Sequence, residues 1–580
     1  MVNINKKKTA LAVPILLGIM ALSCLLSLRV KSPTVDEFAH LPAGYYYWKT
    51  GDFSLYGKNP PLIKLLCSLP LLAMDISMDP IQSYADRGDW RPWVFGTHFM
   101  RENAASYDSI FFIGRLPAIL LSLLLGWYVF RWAKELYGLK GGLLSLVLYT
   151  FSPNILAHAR LVTMDVGCTC FMFMTIYYYW RSFQHLRLKD SIGAGICFGL
   201  ALLSKFTALL LVPILGLLLI LSAWRGKQEE RGALLSVFNK LRSGFLRCLC
   251  DGGVRLVLVI LVALFITNLG YGFQGTMKNL KSIPHGSQFY KRLAASPLNS
   301  IPIPLPAAYI QGLDQQKLDA EQGVFLNYLR GRLSNRGWWY YFFYAFVVKT
   351  PIPLHIGILI SIWWALKRRR VTQADAFLIL PVLTVLFVFS FFNQINVGLR
   401  YVLPIFPFLF VWLGRLIQLN FAKSVLRWSA VVILVGYVFS SVSIFPDYLA
   451  YFNALAGGPS KGYRHLLDSN LDWGQDLKRL KNYVDKEGID ELGLAYFGHV
   501  DPEIYGIRYR LVGERPESGE IAVSANYLYG LPYVITYGDR PVSIKPGAFE
   551  WLHTHRPKAH IGHSIFVYSI MPEPNSLPQR

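Results

Sequence analysis

The sequence predicts an all-α polytopic membrane protein of about eleven transmembrane helices, followed by a small C-terminal α/β unit outside the membrane. Three observations predict it: a composition too apolar for a water-facing surface, a series of apolar runs of spanning length, and basic clusters in every second connection between those runs. Of 580 residues, 53% are hydrophobic and only 16% charged, with 37 Phe, 33 Tyr and 15 Trp. A soluble domain carries about 25% charged residues, so much of this surface must face lipid. The formal charge of +23 does not point to nucleic acid, because the basic excess sits in short clusters beside apolar runs. There it serves as a topology signal and a contact for anionic membrane lipids.

The first apolar run, Ala10 to Leu28, follows Lys6, Lys7 and Lys8 and has the outline of a signal peptide. Arg29 and Lys31 stand where a small-residue cleavage site belongs, so an uncleaved first span over 10–29 is expected. Further spans are expected near 109–131, 141–158, 163–180, 191–204, 206–224, 254–270, 342–366, 374–392, 399–418 and 428–446. Lys205 leaves only a tight hairpin between the fifth and the sixth.

With the N-terminus inside, the positive-inside rule is met along the whole chain. Arg131/Lys134/Lys140, Arg181/Arg187/Lys189, the Arg225 to Arg255 connection, the run Lys367-Arg368-Arg369-Arg370 and Arg415/Lys423/Arg427 share the inner face. The outer face then holds the long loops 30–108 and 271–341, the short loop 393–398 and the tail. The chain divides into a membrane domain, 1–446, and an extracytoplasmic domain, 447–580, placed at the cytoplasmic (inner) membrane of a bacterial-type cell.

The tail changes character, with Gly-Gly-Pro at 457–459, a charged helical stretch from Trp473 to Asp485, and β-like runs at Leu492 to Phe497 and Ile521 to Ser524. All seven cysteines lie at or before Cys250, so the tail relies on an ordinary apolar core and not on disulfides. The pairs Cys168/Cys170 and Cys248/Cys250 lack further ligands at zinc spacing. No phosphate-cradling G-x-x-x-x-G-K-[ST] is present, which argues against an ATP-driven pump.

The residues that can carry chemistry gather on the outer side. Asp36 and Glu37 follow the first span directly, ahead of the aromatic and apolar stretch Leu41 to Trp48. Carboxylates held against such a surface are partly desolvated, which raises their proton affinity toward what a general base needs. Asp165 opens the fourth span, where plain helix capping competes with a functional role. Lys58, in Tyr56-Gly57-Lys58-Asn59-Pro60-Pro61, is placed to hold a lipid phosphate or merely to anchor an interfacial helix. Lys349 and Arg400 are outer-face cations that either anchor topology or neutralise a phosphate, arginine bidentately. The acidic run Asp468 to Asp476 has the look of a calcium loop, but Trp473 occupies the position that needs glycine and Arg479 the one that needs a bidentate Glu. It reads as a loop leading into a helix, with Trp473 packing and acceptor contact as the minor alternative.

The acidic pair after the first span, the Lys/Pro-Pro-Leu segment, the Arg160-x-x-x-x-Asp165 pattern and the late Arg400-Tyr401-x-Leu403-Pro404 together resemble glycosyltransferase family 39. That family comprises dolichyl-phosphate-mannose protein mannosyltransferases and lipid A aminoarabinose transferases, with the GT-C membrane fold. Tyr448 to Asn453 and Asp468 to Asp476 are similar to a bacterial branch of phospholipid-carrier-dependent glycosyltransferases, so the resemblance spans residues 30 to about 480. It implies a polyprenyl-phosphate sugar as donor, inversion by direct displacement, Asp36 as base with Glu37 its neighbour, and Asp165 as a second acidic residue orienting donor or acceptor. It further implies lipid-phosphate or donor contacts for Lys58, Arg160, Lys349 and Arg400, although Asn59 separates Lys58 from the proline pair. The acceptor is a hydroxyl or phosphate of a protein, lipid A or glycan, the sugar is not specified, and a divalent cation is left open. Two rivals remain at this level, a transporter or lipid flippase and a membrane-anchored scaffold; the first usually shows paired repeats and matching broken spans, which this sequence lacks.

Overall fold

The computed structural model describes residues 2–78, 91–185, 187–229, 237–368, 372–419, 424–537 and 541–571. Arg369, Arg370 and Lys423, expected on the inner face, lie outside them, as does part of the loop 30–108. The chain is mostly helical: α1 (Val2–Arg29), α2 (Val35–Thr50), α3 (Leu62–Ser68), α4 (Arg91–Glu102), α5 (Tyr107–Thr150), α6 (Pro153–His158), α7 (Met164–His185), α8 (Leu188–Leu202), α9 (Leu211–Glu229) and α10 (Val237–Gly270). The loop after α10 carries α11 (Gln288–Ala295), α12 (Ala307–Gln322) and a hairpin of β1 (Asn327–Leu329) and β2 (Arg332–Ser334). The bundle closes with α13 (Tyr341–Lys349), α14 (Ile352–Arg368), α15 (Gln373–Phe391), α16 (Ile405–Leu413) and α17 (Ser424–Val442).

Among the described residues, six helices are long and apolar enough to cross a membrane, or seven if α13 and α14, bent by 114°, count as one span. The expected span 163–180 is α7, which is not among these helices, and the rest of the difference from about eleven has identifiable causes. The 15-residue α8 is about 22 Å long, short of the ~30 Å hydrocarbon core. The expected span 399–418 is broken into a short 3-10 turn, the 9-residue α16 and a second 3-10 turn. The expected spans 109–131 and 141–158 are the two arms of α5, which turns back at Gly138, where φ is 76°. The Tyr149 hydroxyl donates to the Ser122 carbonyl at 2.7 Å, a contact that a straight helix, rising about 40 Å over that interval, could not make.

Between α2 and α3 the backbones touch: a Cβ added at Gly44 would lie 2.1 Å from the Lys64 carbonyl oxygen. The tail adds α18 (Leu477–Glu487), β3 (Leu492–Ala495), β4 (Tyr509–Leu511), β5 (Gly519–Ser524), α19 (Ala525–Leu528), β6 (Tyr533–Ile535), β7 (Val542–Ile544), β8 (Ala559–Ile561) and β9 (Ile565–Ile570). Five of the strands form a mixed sheet in the order β4-β3-β5-β9-β8, parallel at β4/β3/β5 and antiparallel at β5/β9/β8. Leu492, Leu494, Ile521 and Val523 are buried in the same continuous apolar core as the helices.

The tail is tied to the segment that links α1 and α2. Lys31 is buried between the carboxylates of Asp447 and Asp476. The Ser32 backbone N–H donates to the Gln475 carbonyl and the Val35 N–H to the Trp473 carbonyl, each at 3.0 Å.

Candidate active site

Four charged side chains from four separate elements converge on the side of the bundle that carries the tail. Asp36 lies in the first turn of α2 and Asp165 in the first turn of α7, positions where the helix dipole favours a carboxylate. Lys205 stands just before the 3-10 turn Phe206–Leu210, and Arg400 within the 3-10 turn Leu399–Val402. Arg400 Nη1 is 2.7 Å from Asp36 Oδ2 and 3.6 Å from Asp165 Oδ2, while Lys205 Nζ is 2.7 Å from Asp165 Oδ1.

The two carboxylates are not equivalent. The Asp165 side chain is 1% exposed and held by two cations, whereas that of Asp36 is 21% exposed and, among the described residues, pairs with Arg400 alone. A proton acceptor must reach the group it deprotonates, so Asp36 is the better placed and Asp165 the better fitted to orient the cations. Among the described residues Asp165 Oδ2 has no hydrogen-bond partner, which leaves an acceptor position at the centre of the cluster.

Aromatic and tail residues fix the two cations. The Arg400 guanidinium carbon sits 4.2 Å from the centre of the Trp473 ring, and Arg400 Nε donates to Ser469 Oγ at 3.1 Å. Lys205 Nζ lies 4.7 Å from the centre of the Tyr401 ring. Asp468, in left-handed backbone at φ 56°, accepts from the Tyr533 hydroxyl, and burial holds its carboxyl above the usual range. On the other side of Asp36, His499 stacks on Trp93 at 4.5 Å, and burial pushes its imidazole down to about 4.

The remaining residues singled out in the sequence stand apart from this cluster. Glu37 is fully buried and makes hydrogen bonds on both oxygens. It accepts from Arg115 Nε at 2.7 Å and Nη2 at 2.6 Å, from the Val162 N–H at 2.9 Å, and from the Thr34 N–H and hydroxyl at 3.0 Å. Burial alone would raise its carboxyl, but Arg115 and these bonds outweigh burial and hold it below the usual range. Lys58 Nζ pairs with Asp319 of α12 at 2.9 Å. Lys349 is buried and donates to the Leu449 carbonyl at 2.6 Å and the Asn470 carbonyl at 2.5 Å, so its ammonium joins α13 to the tail. Arg160 is 2% exposed, with Nε and Nη1 unpartnered, and its electrostatic neighbours are Arg115, Cys24, Glu37 and Tyr448. Among the described residues, no three His, Cys, Asp or Glu side chains stand close enough together to hold a metal ion.

The sequence reading did not single out Lys205, Ser469 or His499 as site residues. Lys205 had a visible signal, a lone lysine between two apolar runs on the same face as Asp165. Ser469 had one too, as part of the run Asp468 to Asp476, whereas His499 had none, because its place depends on how the tail docks.

A comparison with protein-family models bears on what such a cluster does. Residues 108–241 match the family described as dolichyl-phosphate-mannose-protein mannosyltransferase. The matched segment contains Asp165 and Lys205, and it supports the resemblance read from the motifs. Among solved structures, the chain is similar to ArnT from Cupriavidus metallidurans bound to undecaprenyl phosphate, at 13% identity over 96% of this chain and 97% of that one, with a TM-score of 0.43. It is also similar to the Saccharomyces cerevisiae protein O-mannosyltransferase Pmt1-Pmt2 complex, at 18% identity over 46% and 33% of the two chains, TM-score 0.30. A third similar structure is the Archaeoglobus fulgidus oligosaccharyltransferase, at 11% identity over 94% and 74%, TM-score 0.37. These scores lie below the level that a shared fold requires. A search of curated protein sequences returns no match.

Proposed function

We propose that this protein transfers a glycosyl unit from a polyprenyl-phosphate carrier to an acceptor hydroxyl at the outer face of the cytoplasmic membrane. The observation that carries the reading is the Arg400 guanidinium set between Asp36 and Asp165, with Lys205 closing the far side of Asp165. The family match over residues 108–241 supports the same chemistry.

In this mechanism Asp36 accepts the proton of the acceptor hydroxyl as its oxygen attacks the anomeric carbon. The bond from that carbon to the carrier phosphate breaks, the configuration inverts, and the electron pair leaves with the phosphate. Arg400 and Lys205 are the cations that stabilise the charge developing there, and in a desolvated site fixed cations do this without reorganisation. Asp165 keeps both cations in place. No nucleotide-binding loop is needed, because the donor is carried by lipid.

The test is mass spectrometry of lipid-linked sugars and glycosylated acceptors in cells with the wild-type chain, with Asp36→Asn, and without the protein. Asp36→Asn is expected to match the deletion, with donor accumulating and transfer falling about 10²–10⁴-fold, the usual contribution of a general base. Unchanged donor and acceptor pools in both strains would remove the reading.

A further inference from the structure

Arg400 and Asp36 belong to elements far apart in the chain, and one short stretch of the tail touches both. Ser469 Oγ accepts from Arg400 Nε at 3.1 Å and donates to the Val397 carbonyl at 2.6 Å. Asn470 Oδ1 accepts from the Leu399 N–H at 3.0 Å. The Trp473 ring lies under the guanidinium at 4.2 Å, and its carbonyl accepts from the Val35 N–H, the residue before Asp36. Two residues on, the Gln475 carbonyl accepts from the Ser32 N–H, and Ser32 Oγ donates to the Gly474 carbonyl at 3.0 Å.

From this geometry we infer that residues 469–475 act as a bracket that sets the spacing of Asp36 and Arg400, with Trp473 as its principal positioning residue. The inference rests on the glycosyl-transfer reading and deepens it: the tail is an integral part of the catalytic site. A buried tryptophan suits the task. Its ring face attracts a desolvated guanidinium and fixes its plane, while its backbone is bonded to the start of α2. Trp473 does not touch the reacting atoms; it acts through Arg400.

The experiment measures binding of undecaprenyl phosphate, as an anionic lipid probe, to the full-length detergent-purified chain. The wild type is compared with W473A, W473F, S469A, R400A and the double variant W473A/R400A. W473A is expected to weaken binding by about tenfold or more, as loss of a desolvated cation–π contact implies. W473F, which keeps an aromatic face, should stay within about threefold, and W473A should add less than about twofold once Arg400 is gone. A purely structural role for Trp473 would show instead as a full loss in the R400A background, and that result overturns the bracket. W473A binding like the wild type overturns it too. If W473A does not fold, S469A, which removes one hydroxyl, carries the same cycle with about a threefold loss expected, and additivity there is equally fatal. R400A binding like the wild type would instead remove the phosphate role of Arg400, and the bracket with it.

Discussion

Asp36 and Glu37 are neighbours in sequence and opposites in circumstance. Glu37 sits in a closed network in which its carboxylate oxygens have hydrogen bonds from Arg115, Val162 and Thr34, with no access to solvent. Among the described residues, Asp36 meets a single guanidinium, keeps part of its surface open, and faces a second carboxylate whose Oδ2 makes no hydrogen bond and lies 3.6 Å from the same guanidinium. A satisfied buried ion pair holds structure, whereas an under-satisfied and reachable one is available for chemistry. Adjacent acidic residues in a sequence therefore need not share a task.

The contrast is broken most sharply by exchanging the two lesions. Glu37→Gln should destabilise the chain by about 3–5 kcal/mol, because it leaves Arg115 buried without its counter-charge, and thermal unfolding in detergent would show it. Asp36→Asn should leave the unfolding temperature nearly unchanged while lowering transfer about 10²–10⁴-fold. Equal stability losses in both would erase the distinction. Next in size, Lys205→Met should lower transfer on the order of 10²-fold without loss of protein, since it removes one of the two cations next to Asp165. Wild-type turnover would move Lys205 out of the site.

A pH titration sharpens the comparison further. Burial holds the His40 imidazole down to about 4 against an ordinary 6.5, with nearby Asp36 opposing. The unfolded chain therefore takes up a proton at a pH where the folded chain does not. The stabilisation is complete above about 6.5 and declines as pH falls toward about 4. At pH 5 the wild type should be less stable than at pH 7.5 by about 2 kcal/mol from this residue, and His40→Gln should lose that part of the slope. An unaltered slope would show that His40 has the same proton affinity in the folded and unfolded chains. The smallest effect belongs to Lys58→Met: its pair with Asp319 is partly exposed, so less than about 1 kcal/mol of stability is at stake. A large loss of donor binding in that variant would restore Lys58 to the site.

The helical bundle was legible because its signals are local. Apolar length and the basic clusters act within one segment, and the tail's β-like runs at 492–497 and 521–524 coincide with β3 and β5. Asp36, Asp165 and Arg400 stood out in the sequence as charges at the ends of apolar runs, and the structure brings them together around one guanidinium. What could not be read were side-chain directions and long-range partners. Glu37 differs from Asp36 by one helical position, which turns it toward Arg115. Lys349 carries the same charge as Arg400 but meets backbone carbonyls from the tail. The span count fell short where the chain bends, at Gly138 and at the 114° corner after Lys349, since hydropathy does not see direction.

Gly44 has a consequence at the level of inheritance. Its missing side chain lets α2 rest on the Lys64 carbonyl, so even a methyl group there must push the two helices apart. Drift to alanine, among the mildest of genetic changes, would leave every charge intact and still displace the helix that carries Asp36, about 12 Å along it from Gly44. A genetic change that alters no charge can thus still misplace Asp36.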